Sequence, residues 1–248
     1  MCHGDDSRPP GPAHPGEVAA YGELQLVAAD GNRLLAYEAH PAASTGRGIV
    51  ILPDVRGLHT YYRDLAVRFA EAGMHAVAVD YFGRTAQTAD RTEAFDHKTH
   101  VKQTTPEGVA ADVAAGRDHL CSNRGGAVTS VFTVGFCFGG GYSLRQAADQ
   151  RDLAGSIGFY GTATRALESP RPVSAPLLIL LAGEDKHISV DDARKLAGLA
   201  QERGLDAKVV VYDGAPHSFF DRTFADYADA CADAWLRIAD VVGRHSAA

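Results

Sequence analysis

The sequence predicts an α/β domain whose central sheet is mostly parallel, opened by an N-terminal antiparallel hairpin and covered by helices on both faces. Short apolar runs alternate with helical patterns along the 248 residues, as in repeated strand–helix units. These runs are continuously apolar, so their strands are expected to be buried on both faces. A turn at Asp30-Gly31 between two shorter runs predicts the hairpin.

The elements follow in a regular order from residue 22 onward. The hairpin strands are predicted at 23–28 and 33–39, and the buried strands at GIVILP (48–53), HAVAVD (75–80), SVFTVG (130–135), SIGFY (156–160), LLILLAG (177–183) and KVVVY (208–212). Helical periodicity predicts helices near 61–72, 106–120, 138–148, 190–203 and 224–242. Thr105 and Ser189 are the expected N-caps of the second and fourth helices.

Residues 1–16 differ from the rest of the chain. They contain four prolines and three glycines and show no apolar periodicity, which predicts a flexible tail. A single domain is expected over 17–248, because a chain of this length with 46% hydrophobic residues can bury one sizeable core.

Composition excludes several classes of function. Asp and Glu number 31 against 24 Lys and Arg, and no basic stripe is present, so no nucleic-acid partner is expected. No apolar run is long enough to span a membrane, and the start lacks a signal-peptide pattern, which favours a cytoplasmic protein without membrane contact. The four cysteines form no CxxC pair, so neither a disulfide framework nor a metal site is predicted.

The strand SVFTVG runs directly into Gly135-Phe136-Cys137-Phe138-Gly139 and a helix. This is the G-x-nucleophile-x-G turn, with cysteine where serine is commoner. Its glycines allow a sharp bend that exposes the central side chain at a helix N-terminus, where the helix dipole favours negative charge. Cys137 is therefore the candidate nucleophile. The alternative interpretation is a small buried hydrophobe in a tight turn.

An acid and a base follow in the chain order that such a nucleophile requires. Glu184 and Asp185 follow LLILLAG; Asp185 is the expected acid, with Glu184 as a rival for the same role, and His217 comes after KVVVY. Because parallel strands end at one edge of the sheet, these side chains and Cys137 can converge there. His217 would take the thiol proton, and Asp185 would hold the imidazole in the required tautomer.

These residues resemble the dienelactone hydrolases (carboxymethylenebutenolidases), a family with the α/β-hydrolase fold. The resemblance covers about 34–242 and is carried by ILPDVRG, AVAVDYFGR, GFCFGGG, GFYG, AGEDKHI and GAPHSFFDRTF. It implies a catalytic triad of Cys137, Asp185 and His217 that needs no cofactor and no metal. It also implies a small ester or lactone as substrate. The resemblance leaves the oligomeric state open between monomer and homodimer.

The resemblance assigns further roles around this triad. The backbone N–H groups of Val55 and Phe138 would hold the oxyanion. Asp54 stands where the family has an acidic residue, usually glutamate, that contacts the resting thiol. Its side chain is one methylene shorter than glutamate.

Four other residues are candidates for substrate binding. Arg84 and Arg222 match family positions that hold a substrate carboxylate, which a guanidinium binds bidentately. Surface salt bridges are the alternative for both. Tyr160 matches a tyrosine near the pocket, and Arg56 departs from the apolar residue expected beside it. The polar connection 81–105 is long enough for a lid.

The leading hypothesis is hydrolysis of small lactones or carboxylic esters through a thioester acyl-enzyme. A broad carboxylesterase or thioesterase, or a hydrolase of activated phosphoesters with the same triad, is the alternative. A redox-sensing protein without catalysis would need only an exposed reactive thiol at Cys137. It would not need Asp185 and His217 at the ends of two other strands.

Overall fold

The computed structural model describes residues 3–86, 88–92 and 94–247 of the chain. Its strands are β1 Val18–Val27, β2 Arg33–Pro41, β3 Arg47–Leu52, β4 His75–Val79, β5 Ser130–Phe136, β6 Gly155–Phe159, β7 Leu177–Ala182 and β8 Ala207–Tyr212. They form an eight-stranded sheet in the order β1-β2-β4-β3-β5-β6-β7-β8. β2 is antiparallel to both β1 and β4, and the remaining neighbours are parallel. The mostly parallel sheet with its antiparallel hairpin is confirmed.

Helices cover both faces of this sheet. They are α1 Thr60–Glu71, α2 His97–Gln103, α3 Pro106–Cys121, α4 Phe138–Asp149, α5 Thr164–Leu167, α6 Val190–Glu202 and α7 Ala228–His245. Side chains alternate between two apolar clusters: Val50 of β3 joins α3, α4 and α6, whereas Ile51 joins α1 and α7. The last helix begins later than predicted, because a 3₁₀ turn at Ala225–Tyr227 precedes it.

The register of the parallel strands brings five loops to one edge. Leu52 of β3 pairs with Gly135 of β5, and Phe136 pairs with Phe159 of β6. Ala182 of β7 pairs with Tyr212 of β8. The loops that follow β3, β5, β6, β7 and β8 therefore all start at the carboxyl edge, where α/β sheets carry their functional groups.

The connection 81–105 is more ordered than a polar loop. It holds a 3₁₀ turn at Tyr81–Arg84 and the helix α2, and Arg91 ties it to the end of β4. The Arg91 guanidinium lies 2.9 Å from the Asp80 carboxylate, and both side chains are almost completely buried. A lid function for this segment stays a prediction.

The N-terminal segment, residues 3–16, follows a defined path across the domain. The N–H of Gly16 donates to the Glu71 carbonyl at 2.7 Å, and the indole N–H of Trp235 donates to the Pro10 carbonyl at 3.3 Å. The flexible tail predicted for residues 1–16 stays a prediction, and its first two residues lie outside the part of the chain that the structure describes. A proline-rich segment has few N–H groups to satisfy, so a few donors and acceptors on α1 and α7 are enough to dock it.

A pair of histidines packs at the opposite edge of the sheet. The ring of His75 is buried, its Nδ1 lies 2.8 Å from His40 Nδ1, and its Nε2 lies 3.0 Å from Ser44 Oγ. Burial, with a smaller contribution from His40, lowers the pKa of His75. The folded protein therefore favours a neutral His75.

We expect acid to destabilise the protein partly through His75. The unfolded chain binds a proton at this residue near the ordinary histidine pKa of about 6.5, above the pKa in the folded protein, so stability falls as the pH drops through this range. His75→Gln should lose less of its free energy of unfolding than the parent between about pH 7.5 and about pH 5.5 in urea titrations. The exposed control His14→Gln should follow the parent. Equal losses in His75→Gln and the parent would contradict this assignment.

Candidate active site

The turn between β5 and α4 has strained backbone geometry. Cys137 has φ 53° and ψ −113°, a conformation that costs a non-glycine residue on the order of 1–3 kcal/mol. A Cβ on Gly135 would lie 2.0 Å from the Gly139 carbonyl oxygen, so only glycine permits this close approach. Tyr160 and Ser218 at the same edge also have positive φ values. The sharp turn expected from the glycine pattern is present, and strain is concentrated around it.

Cys137 occupies the N-cap position of α4 and is partly buried. Its N–H donates to the carbonyl of Phe159, the last residue of β6, at 3.0 Å. The next residue, Tyr160, is completely buried, and its ring centroid lies 4.9 Å from that of His217. The loops that carry Cys137 and His217 are thus connected through the end of β6.

The structure brings Asp185 and His217 together. Asp185 Oδ2 lies 2.5 Å from His217 Nδ1, and the N–H of His187 donates to Asp185 Oδ1 at 2.9 Å. The Asp185 side chain is 1% exposed and that of His217 is 27% exposed. Glu184, the rival acid, is exposed. A buried carboxylate therefore fixes the tautomer of the imidazole, with the proton on Nδ1 and the lone pair on Nε2.

Tyr81 orients the loop after β3, which carries Val55. Its hydroxyl donates to the Pro53 carbonyl and, at 2.8 Å, to the Asp54 carbonyl. Because N–H and C=O point in opposite directions in a trans peptide, the Val55 N–H is turned away from Tyr81. Burial raises the pKa of Tyr81 well above its ordinary value, so the hydroxyl stays a donor.

The N–H groups of Val55 and Phe138 have no hydrogen-bond acceptor in 3–86, 88–92 or 94–247. Phe138 is the first residue of α4, where a backbone N–H has no partner within the helix. Tyr81 itself was missed as a site residue, although a tyrosine directly after the end of β4 could have been flagged.

Asp54 and Arg56 lie in the same loop and are both buried. Asp54 Oδ1 accepts from the Arg56 N–H at 2.8 Å, and Asp54 Oδ2 accepts from the His3 N–H at 3.3 Å. Asp54 is therefore part of a network with the N-terminal segment. Its contact with the resting Cys137 thiol stays a prediction.

Arg84 does not fit the predicted carboxylate clamp. Its Nε and one terminal nitrogen bind the Asp112 carboxylate at 2.9 and 2.7 Å, and its terminal pair binds the Asp30 carboxylate at 2.6 and 3.3 Å. Both bidentate edges of the guanidinium are occupied, which leaves neither edge for a substrate. The clamp is corrected on this point: Arg84 ties α3 to the hairpin turn.

Arg222 and Tyr160 lie in different surroundings at the carboxyl edge of the sheet. The side chain of Arg222 is exposed, and its backbone N–H donates to the Arg8 carbonyl at 2.9 Å. Its role toward a substrate stays a prediction. The Tyr160 hydroxyl lies 3.1 Å from His3 Nε2, so the predicted pocket tyrosine meets the N-terminal segment.

Sequence reasoning also missed His3 at this edge. Its imidazole stacks on the Tyr61 ring with centroids 3.7 Å apart and is almost completely buried. Together with His217, Asp221 and Phe224 it lines a cavity of about 160 Å³. The composition of the first sixteen residues gave no signal for this position.

The part of the chain that the structure describes contains no group of three or more His, Cys, Asp or Glu side chains arranged to hold a metal ion. Within the same residues, no helix combines the length and apolar character needed to cross a bilayer.

The sequence model of the dienelactone hydrolase family matches residues 34–246, most of the chain. The chain belongs to the dienelactone hydrolase family. It is thus a hydrolase of ester or lactone bonds, with the α/β-hydrolase fold.

Relatives in this family cover most of the chain. A candidate carboxymethylenebutenolidase of Escherichia coli strain K12 is 27% identical over 227 residues, 86% of this chain and 83% of its own length. Protein usf of Aquifex pyrophilus is 28% identical over 221 residues, 86% of this chain and 94% of its own length.

Solved structures of the family have the same fold. A candidate dienelactone hydrolase from Klebsiella pneumoniae superposes with a TM-score of 0.69 at 25% identity, covering 90% of this chain and 99% of that one. The dienelactone hydrolase-like promiscuous phosphotriesterase P91 from metagenomic libraries superposes with a TM-score of 0.74 at 20% identity, covering 92% and 100%.

Tyr81→Phe is expected to slow ester hydrolysis by a positioning effect. Loss of the hydroxyl frees the carbonyls of Pro53 and Asp54, and with them the Val55 N–H that is predicted to hold the oxyanion. We therefore expect kcat to fall about tenfold with little change in KM. Steady-state hydrolysis of p-nitrophenyl acetate measures both constants. Tyr21→Phe, at an exposed tyrosine, is the control. An unchanged kcat in Tyr81→Phe would argue against this role.

Proposed function

We propose that the protein hydrolyses small lactones or carboxylic esters with Cys137 as nucleophile, Asp185 and His217 as its acid–base partners, and a thioester acyl-enzyme as intermediate. The observation that carries the proposal is the 2.5 Å contact between buried Asp185 and His217, at the same sheet edge as the strained turn of Cys137. A cysteine that only filled space would need neither feature.

Acylation follows from the roles of these groups. His217 Nε2 takes the proton of the Cys137 thiol, and the thiolate attacks the carbonyl carbon to form a C–S bond. The carbonyl oxygen becomes an oxyanion that the N–H groups of Val55 and Phe138 stabilise as its charge develops. When this intermediate collapses, the ester C–O bond breaks, and His217 gives its proton to the leaving oxygen. In a lactone the leaving oxygen stays attached to the acyl group.

Deacylation repeats these steps with water. His217 takes a proton from a water molecule, whose oxygen attacks the thioester carbon. The second oxyanion is held by the same two N–H groups, the C–S bond breaks, and the thiolate recovers the proton from His217. An ester thus gives a carboxylic acid and the alcohol released during acylation. A lactone gives one ring-opened hydroxy acid, and an enol lactone gives an enol that converts to its keto tautomer.

Cys137→Ala is expected to abolish hydrolysis of p-nitrophenyl acetate and of a dienelactone under reducing conditions, because no other group would form the acyl-enzyme. Cys121→Ala removes an exposed cysteine and should keep the activity of the parent. Mass spectrometry of the quenched reaction should detect an acyl adduct on the parent and not on Cys137→Ala. Full activity in Cys137→Ala would show that Cys137 is not the nucleophile. Activity of the parent without a detectable adduct would show that no thioester accumulates during turnover.

Asp185→Asn should reduce kcat by on the order of 10³, because an amide can stabilise the wrong imidazole tautomer and no longer balances the imidazolium. Glu184→Gln is the matched control, since it removes one carboxylate from the exposed neighbouring position. Both variants can be assayed on p-nitrophenyl acetate. A larger loss in Glu184→Gln than in Asp185→Asn would reverse the assignment of the acid.

A further inference from the structure

The N-terminal residues His3–Arg8 cross the active-site edge and are held there by domain residues. The His3 ring is stacked on Tyr61 and bonded to Tyr160, and the Arg8 N–H donates to Asp221 Oδ1 at 3.1 Å. These residues are the first part of the N-terminal segment. Its acidic residue Asp5 lies against two basic side chains of the loop between β3 and α1.

Arg56 is the first of these two side chains. Its terminal nitrogens donate to Asp5 Oδ1, to the His3 carbonyl at 2.7 Å and to the Arg91 carbonyl at 3.1 Å. The residue is 8% exposed. The guanidinium is therefore held by the Arg91 carbonyl of the domain and by two groups of the N-terminal segment, the His3 carbonyl and the Asp5 carboxylate.

His59 is the second side chain, at the N-cap of α1. Its Nδ1 accepts a hydrogen bond from the Tyr61 N–H at 3.3 Å, which leaves the ring proton on Nε2. That nitrogen donates to Asp5 Oδ1 at 2.8 Å. Burial, followed by the charge of Arg56, lowers the pKa of His59, so the ring is a neutral donor. A cation and a neutral N–H thus bind one carboxylate oxygen beside the N-terminus of a twelve-residue helix.

The two partners in this contact differ in exposure. The side chains of Arg56 and His59 are 10% and 5% exposed, whereas that of Asp5 is 49% exposed. The two donors are buried, whereas the Asp5 carboxylate is in contact with water. A carboxylate that took the place of Asp5 would occupy the same half-exposed position, so its charge would be no more buried than that of Asp5.

The Asp5 contact lies next to the groups of the proposed reaction. Arg56 follows Val55, whose N–H is assigned to the oxyanion, and Asp54 is the acidic neighbour on the same loop. The His3 side chain extends from the same segment to Tyr160, and the Tyr160 ring contacts His217. Arg56 is 8% exposed with His3 and Asp5 in place, so a substrate acid group reaches it only when these two residues are displaced.

We propose that Arg56 and His59 form a carboxylate-binding subsite of the cleft, that Asp5 occupies it as an internal ligand, and that an anionic ester or lactone competes with Asp5 for it. This subsite takes the place of the Arg84 clamp, whose guanidinium is already paired. The assignment of the ligand as substrate rests on the proposed function, whereas carboxylate binding itself does not require catalysis.

Binding to a catalytically silent protein tests the subsite directly. Calorimetric titration of Cys137→Ala with succinate should give a Kd about tenfold higher than the same titration of Cys137→Ala carrying Asp5→Asn, the ratio expected when a competing charge-assisted contact is lost. Asp152→Asn is the control for net charge, since it removes the same charge from an exposed residue that precedes β6, at the edge of the sheet opposite the active site. It should leave the Kd unchanged. Succinamide, which has no charge, should not respond to Asp5→Asn.

Equal succinate affinities of the Cys137→Ala protein with and without Asp5→Asn would overturn the proposal, as would an equal effect of Asp5→Asn on succinamide. A gain from Asp152→Asn as large as that from Asp5→Asn would overturn it too, because the effect would then be one of net charge. Arg56→Gln in the Cys137→Ala protein should abolish succinate binding, and retained binding would also count against the subsite. If Arg56→Gln does not fold, the comparison of Asp5→Asn with Asp152→Asn decides alone.

Kinetics separate this proposal from the proposed function. With Cys137 present, Asp5→Asn should lower KM for the monoanionic p-nitrophenyl ester of succinate and leave KM for p-nitrophenyl acetate unchanged. Hydrolysis that persists in Cys137→Ala would reject the nucleophile while the succinate titrations still decide the subsite. Conversely, a Cys137-dependent activity without any effect of Asp5→Asn on either KM would reject the subsite alone.

Discussion

The site depends on the close backbone packing of the first turn of α4 against the ends of β3, β5 and β6. A Cβ on Gly139 would lie 2.2 Å from the Leu52 carbonyl oxygen, and one on Gly140 would lie 2.4 Å from that of Phe159. The first turn of α4 is therefore inserted between the ends of β3 and β6. Cys137 can take its strained conformation only because these neighbours fix the backbone on both sides.

The loop after β3 is held by polar groups that are themselves buried. Tyr81 binds two of its carbonyls, and the Asp80–Arg91 ion pair lies so close to Gly57 that a Cβ there would be 2.8 Å from Asp80 Oδ1. A buried ion pair is a weak source of stability, but loss of one partner leaves an uncompensated charge. The pair thus favours one arrangement of the loop, and with it one direction of the Val55 N–H.

Arg56, Arg84 and Arg222 were all predicted to bind substrate. The position and exposure of the nearest carboxylate distinguish them. Arg84 binds Asp30 and Asp112, whereas Arg56 binds the half-exposed Asp5 next to the cleft. Arg222 leaves its side chain exposed. All three carry the same planar cation, so residue type alone could not distinguish a structural ion pair from a ligand site.

The sequence by itself determined the strands, the glycine-rich turn at Cys137 and the chain order of Cys137, Asp185 and His217. These depend on local patterns, and parallel strands necessarily bring their carboxyl ends to one edge. Only the tertiary structure decided that Tyr81 orients the loop after β3 and that His3 lies between Tyr61 and Tyr160. His3 and Tyr160 are 157 residues apart, and no local periodicity encodes a contact over that distance. The docking of residues 3–16 depends in the same way on donors and acceptors that only the folded domain presents.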